Sequence, residues 1–259
     1  MALLPDAPPP RRVMSADGVP IATYEWGDPD APVVVAVHGF ASSAISNWHV
    51  TGWTRELTRA GFRVIAIDQR GHGESGKPHD PAMYTMDALV TDLLTVVDTY
   101  LIDEFALLGY SLGARVGWHT ALELAERLTR AVLGGIPDGD PLTRFRVDEA
   151  RGFVAGGSRS DDRLTMTYLD MAAAMPDNDL GALISLVEGM RGGAQPDAAD
   201  PPQQPVLFAT GTQDPILEQS RRLAEATPHG SFLAIPDRNH FNAPTSKAFR
   251  VAGVEFLAD

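Results

Sequence analysis

A serine set between two glycines, Gly109-Tyr110-Ser111-Leu112-Gly113, is the stretch of this chain best suited to chemistry. An apolar run, Phe105 to Leu108, leads into it, and a helix-compatible run, Ala114 to Leu128, leads out. A serine at a tight strand-to-helix turn is lifted clear of its sheet, with the hydroxyl presented to a substrate. Gly109 and Gly113 suit such a turn, because two backbone segments approach there and a Cβ would crowd them. The helix that follows aims its free N–H groups, starting with that of Leu112, at the same spot, where they can hold developing negative charge. The chemistry implied is attack by Ser111 on a carbonyl carbon. A hydroxyl is a weak nucleophile at neutral pH. It needs a base within hydrogen-bond reach, and the base needs a carboxylate to orient it.

Of seven histidines, His240 is best placed to be the base. It follows an apolar run, Ser231 to Ile235, after a short loop and precedes Pro244, which can open a helix. Asp214, in Gly211-Thr212-Gln213-Asp214-Pro215, stands just past another apolar run and is the preferred orienting acid. Asp138 and Asp140 are its rivals, since an acid there could serve the same histidine.

The elements that must position these residues are legible in the spacing. Arg11 to Ser15 and Ile21 to Trp26 predict a hairpin turning at Asp17-Gly18. Val33 to Val37, Phe62 to Ile67, Phe105 to Gly109, Ala131 to Gly135, Pro205 to Thr210 and Ser231 to Ile235 read as strands. The unbroken β-branched run at Val33 to Val37 marks a strand buried on both faces, as in a parallel sheet. Helices are predicted at Trp48 to Ala60, closed by Gly61, and after Thr85 as N-cap, where Met86, Leu89, Val90, Leu93, Leu94, Val97 and Leu101 recur at helical spacing. Others are predicted over Ser111 to Leu128, Leu217 to Ala226 and Thr245 to Leu257. Alternation of strands and helices implies an α/β fold with a mostly parallel sheet, whose sites lie at the carboxyl ends of the strands. His38, Asp68 and Ser111 all fall just past strand ends.

The alternation breaks from Pro137 to Gln204. Arg144 to Phe153, Leu164 to Met175 and Leu180 to Met190 read as short helices, so residues 137–204 are expected to form a helical cap inserted in a core of 11–136 and 205–259. Its methionines, Met166, Met171, Met175 and Met190, recur at helix-like intervals and are expected to be mostly core, with one or two lining an adaptable apolar pocket. Residues 1–10 are Pro-rich and expected to be a frayed leader.

Composition bounds the rest. Across 259 residues the chain is 44% hydrophobic and 21% charged, as soluble globular proteins are. A net charge of −13 argues against nucleic acid and anionic membranes as partners. The absence of cysteine excludes disulfides, thiolate metal sites and a cysteine nucleophile. With no signal-like or membrane-spanning run, a cytoplasmic location is expected.

The order Ser111, Asp214, His240 across alternating strands resembles the α/β-hydrolase fold superfamily, in particular its serine esterase-like members with a helical cap. His38-Gly39-Phe40 resembles the family's His-Gly-x oxyanion loop. Asp68-Gln69-Arg70-Gly71-His72-Gly73-Glu74-Ser75 resembles a loop after the next strand in many members, and Gly109 to Gly113 resembles its nucleophile elbow. The resemblance covers the chain from about Arg11 onward, except that the cap matches in position only. It implies an eight-stranded sheet, a Ser111–His240–Asp214 triad and an oxyanion hole from the N–H groups of Phe40 and Leu112. It also implies a small-molecule acyl substrate, with neither metal nor organic cofactor. Tyr110 and His38 are candidate substrate contacts, although His38, like Asp68, Arg70 and His72, also suits a purely loop-pinning role. Ester hydrolysis is the expected activity. Thioester, lactone and carbon–carbon hydrolysis and cofactor-free perhydrolysis use similar residues, and a non-catalytic ligand-binding protein is the reading from another class. An aspartate in place of Ser111 would instead suggest an epoxide hydrolase or dehalogenase. A carboxylate-bearing substrate would call for an inward cap arginine, for which Arg144, Arg146, Arg151, Arg159 and Arg163 are candidates.

Overall fold

The computed structural model describes residues 7–175 and 177–259. Of the segment expected as a leader, residues 1–6 lie outside the described residues, and 7–10 are irregular before the first strand. The strands are β1 (Arg11–Met14), β2 (Pro20–Trp26), β3 (Val33–Val37), β4 (Arg63–Ile67), β5 (Phe105–Tyr110), β6 (Leu128–Gly134), β7 (Val206–Gly211) and β8 (Gly230–Ile235). They form one eight-stranded sheet in the order β1-β2-β4-β3-β5-β6-β7-β8. β1 and β2 form an antiparallel hairpin, β2 is antiparallel to β4, and the remaining pairings are parallel.

Side chains alternate between the faces of a strand, and here both faces are dry. Val35, Val37, Ile65, Ile67, Leu107 and Leu133 face one buried cluster, while Val34, Ala36, Val64, Ala66, Leu108 and Val132 face the other. The first cluster is covered by α2 (Met86–Thr99), α3 (Leu112–Glu123) and α7 (Leu217–Ala226). The second is covered by α1 (Trp53–Arg59) and α8 (Lys247–Ala258). This is why the central strands read as continuous apolar runs rather than alternating ones.

Local signals set the helix ends. Thr85 accepts from the Ala88 N–H and caps α2, and Ser246 accepts from the Phe249 N–H and caps α8. Three of the differences from expectation have a visible local cause. The helix predicted over Trp48 to Ala60 is a π-helical turn, Ile45–His49, and then α1, interrupted where Gly52 takes φ +87°. The helix predicted to run to Leu128 stops at Glu123, because Arg127 and Leu128 close a turn on the Leu124 carbonyl and Leu128 already begins β6. Leu101, expected on the buried stripe of α2, lies beyond the helix end at φ +54° and is exposed.

Between β6 and β7 the chain forms α4 (Val147–Val154), α5 (Arg163–Ala173) and α6 (Leu180–Gly189). Asp162 and Asp179 cap the last two. Leu142, Phe145, Val147, Ala150, Met166, Leu169, Ile184 and Val187 form a separate apolar cluster, against which Phe40 of the sheet edge packs. Met166 is buried in it, whereas Met190 faces the cavity described below. No helix among the described residues is long and apolar enough to cross a membrane.

Candidate active site

The turn from β5 into α3 holds Ser111 at φ 53°, ψ −112°. A non-glycine residue there stores strain on the order of 1–3 kcal/mol, tolerated only where the surroundings over-determine it. They do so here. The Ser111 N–H donates to the Gly134 carbonyl of β6 at 2.8 Å, and its carbonyl accepts from Ala114 and Arg115 at 3.0 Å. The flanking glycines are steric necessities. A Cβ on Gly113 would lie 2.0 Å from the Val37 carbonyl oxygen, and one on Gly109 2.5 Å from the Gly113 carbonyl oxygen.

The Ser111 hydroxyl lies 2.8 Å from His240 Nε2, and His240 Nδ1 lies 2.7 Å from Asp214 Oδ2. The carboxylate accepts a hydrogen bond from Nδ1–H, which fixes the tautomer and leaves Nε2 as the acceptor for the serine. Asp214 follows β7 and is buried, and its second oxygen accepts from the Ile216 N–H at 3.1 Å. Of its rivals, Asp138 pairs with Arg222 at 2.6 Å, and no hydrogen bond joins Asp140 to His240 among the described residues.

His240 sits on the loop after β8. Asn239 organises that loop by accepting from the N–H groups of Phe241 and Asn242. The Tyr110 hydroxyl donates to the His240 carbonyl at 2.6 Å. Tyr110, expected as a substrate contact, is 4% exposed, and its one polar group is spent on the histidine loop. Burial, with the charge of Asp214 adding to it, pushes its phenol well above the usual range, so it stays a donor.

The loop after β3 is pinned on both sides of Phe40. The Gly39 N–H donates to Asn47 Oδ1 at 3.2 Å and the Ala41 N–H to His72 Nε2 at 3.0 Å. The Phe40 N–H between them, like the Leu112 N–H at the start of α3, donates to no group among the described residues. Two free donors thus remain beside Ser111, as an oxyanion requires.

His38, the other candidate substrate contact, is likewise engaged with the backbone. It is fully buried, its Nδ1 donates to the Gly39 carbonyl at 2.7 Å, and its Nε2 accepts from the Gln69 N–H at 3.1 Å. Burial holds it neutral, with a pKa lowered to about 4. His72, edge-on to it at 4.9 Å between ring centres, is lowered to about 3 by burial and then by His38. Asp68 accepts from the Ala44 and Glu74 N–H groups, and Arg70 is buried in ion pairs with Asp92 and Asp17. These four side chains pin loops and leave the reacting atoms alone.

A cavity of about 520 Å³ lies between the carboxyl edge of the sheet and the α4–α6 insertion. Ser111, His240, Asp214, Phe40 and Leu112 line it together with mostly apolar groups, among them Tyr168, Leu186, Val187 and Met190. Of the arginines considered as inward-facing, Arg144 lines this cavity. Sequence reasoning passed over Arg115, which also lines it, and Phe241 beside His240. The signal for Arg115 is its place four residues after Ser111, one turn along the same helix face. Among the described residues no cluster of three or more His, Asp or Glu side chains is arranged to hold a metal ion.

A family model for the alpha/beta hydrolase fold matches residues 32–159. Epoxide hydrolase A of Mycobacterium tuberculosis is 32% identical over 148 residues, covering 56% of this chain and 43% of that protein. Epoxide hydrolase B of the same organism is 34% identical over 195 residues, covering 70% and 50%. The chain thus spans half or less of the length of these relatives. The crystal structure of the enol-lactonase from Burkholderia xenovorans LB400 superposes with a TM-score of 0.76 at 24% identity, covering 96% of this chain and all of that one. At that identity the likeness is one of fold.

Proposed function

The chain belongs to the α/β-hydrolase fold superfamily, and within it we propose that this protein is a serine hydrolase that cleaves a small carboxylic ester through an acyl-enzyme. The observation that carries the reading is the continuous hydrogen-bond relay from Ser111 through His240 to Asp214, at 2.8 and 2.7 Å, opening on the cavity. His240 takes the Ser111 proton as the oxygen attacks the ester carbonyl. Phe40 and Leu112 N–H groups hold the tetrahedral oxyanion, and losing one such donor commonly costs on the order of 10²–10³ in rate. Asp214 keeps the imidazole in the required tautomer and stabilises the imidazolium. His240 then protonates the departing alcohol, and water repeats the sequence on the acyl-enzyme. A lactone, an internal ester, is open to the same relay.

The epoxide hydrolases among the relatives favour a second reading, ring opening of an epoxide. Serine argues against it. Its attack on an epoxide carbon would leave an ether, which offers water no carbonyl to attack, so the enzyme would not turn over. A carboxylate nucleophile leaves a cleavable ester instead.

Fluorophosphonate labelling with peptide mapping, beside a p-nitrophenyl ester series of increasing acyl length, tests the proposal. Label on Ser111 with turnover is expected, and Ser111→Ala, His240→Ala and Asp214→Asn are each expected to lose at least 10³-fold in kcat. Folded variants that keep full activity would overturn the assignment. Turnover of an epoxide without Ser111 labelling would favour the second reading, and neither label nor turnover would favour a binding protein.

A further inference from the structure

Arg115 is a cation buried on the cavity wall with almost nothing to hold it. It is 4% exposed, and it lies one turn of α3 beyond Ser111, its N–H donating to the Ser111 carbonyl at 3.0 Å. A guanidinium carries five N–H donors. Among the described residues this one makes a single hydrogen bond, from Nη2 to Gln195 Oε1 at 2.7 Å, and its Nε is buried with no partner. It forms no ion pair among the described residues. The carboxylates that line the cavity do not remedy this. Asp138 is taken by Arg222 and Asp214 by His240, while Asp140 acts on Arg115 only beyond ion-pair distance. Burial accordingly pulls the Arg115 pKa down, with Asp140 offsetting part of the effect. Burying a charge without a partner is costly unless something else compensates it. At the exposed rim of the same cavity Arg144 also forms no ion pair among the described residues.

We propose that Arg115 anchors a carboxylate carried by the substrate, so that the ester cleaved at Ser111 is the half-ester of a short dicarboxylic acid. The proposal rests on the serine-hydrolase reading and deepens it. The acid's free carboxylate takes the guanidinium while its esterified carbonyl lies a helical turn away, against Ser111 and the free N–H groups of Phe40 and Leu112. Arg144 gives the cavity lining a second positive charge. The Gln195 amide oxygen fills the position of one carboxylate oxygen until substrate displaces it. A guanidinium receives a carboxylate through two parallel hydrogen bonds, which fixes orientation as well as charge.

The test compares kcat/KM for p-nitrophenyl butyrate with that for the mono-p-nitrophenyl esters of succinic, glutaric and adipic acids. A preference for one of the anionic esters is expected, weakened by salt. In Arg115→Gln the ratio of anionic to neutral kcat/KM is expected to fall about 10- to 100-fold, the range that loss of hydrogen bonds to a charged group produces. Gln195→Glu keeps the arginine and supplies an internal carboxylate, so it is expected to lower the same ratio while retaining the fold. A purely structural Arg115, holding the loop at Gln195, predicts that Gln195→Glu leaves the ratio untouched, and that result overturns the proposal. So does a wild-type enzyme with no preference for any of the anionic esters. If no ester is turned over, calorimetric binding of monomethyl glutarate and methyl butyrate to Ser111→Ala separates the two claims. Selective binding of the anion, lost in the Arg115→Gln double variant, upholds the subsite and sinks the hydrolase reading. Equal or absent binding sinks the subsite.

Discussion

The two neutral histidines behind the oxyanion loop make this fold sensitive to mild acid, and the size of the effect follows from their burial. His38 and His72 titrate near 4 and 3 in the folded chain against an ordinary value of 6.5. Both folded values are depressed, so below pH 6.5 the unfolded chain binds protons that the folded chain refuses. Stability therefore rises with pH through this window and is lost as pH falls from about 6.5 towards 4. A group protonated only in the unfolded state changes stability by about 1.4 kcal/mol per pH unit. Allowing for partial protonation of the unfolded chain near pH 6, the pair is expected to remove about 2 kcal/mol between pH 6 and 5. For a chain of this size that lowers Tm by about 4–8 °C. His72→Gln keeps an acceptor for the Ala41 N–H but cannot titrate, so its Tm is expected to fall about half as far over the same step. Scanning calorimetry at pH 7.5, 6 and 5 on both proteins reads this directly. Other groups contribute to acid sensitivity, among them Asp92, raised by burial, and Asp17, lowered chiefly by Arg70. The difference between the two proteins cancels those terms. Equal slopes in the two would refute the claim that neutral His72 is a source of the pH dependence.

Two further substitutions probe how the relay is held. Tyr110→Phe removes the hydroxyl that donates to the His240 carbonyl, and an unpaired, part-buried carbonyl costs up to about 1–3 kcal/mol. A fall in kcat of about 5- to 100-fold at little changed KM is expected, since the base is displaced and the binding surface is not; a lower Tm with full kcat would show that the bond only stabilises the loop. Gly113→Ala places a methyl group 2.0 Å from the Val37 carbonyl oxygen, where only backbone can move. Loss of soluble expression or a drop in stability above about 3 kcal/mol is expected, and a normally folded, active variant would mean that β3 and α3 are not locked together there.

What the sequence makes legible here is set by how local the cause is. Sheet strands announce themselves because both faces are dry, so Val33 to Val37 needs no partner in view to be recognised as buried. Ser111 is legible for a similar reason: the clash that a Cβ would suffer at Gly109 and Gly113 leaves a glycine mark at fixed offsets. Asp214 and His240 follow from topology, since a residue just past a parallel strand lands on the one edge where Ser111 stands. The sequence is least informative where distant groups compete for the same side chain. Tyr110 and His38 lie next to the chemistry in sequence, yet each spends its polar atoms on a backbone carbonyl or N–H that no spacing reveals. Leu101 fits the α2 stripe by number, but the helix has already ended. Arg115 is the instructive case. Its spacing puts it on the helix face next to Ser111, but an arginine on a helix is ordinarily solvated or paired, and nothing linear says that this one is neither. Only the assembled cavity, with Asp138 and Asp214 committed to other partners and Asp140 beyond ion-pair distance, makes its charge an unmet demand. Charge satisfaction is a property of the assembled site, and a specificity subsite is therefore harder to read from a chain than the places of Ser111, Asp214 and His240 are.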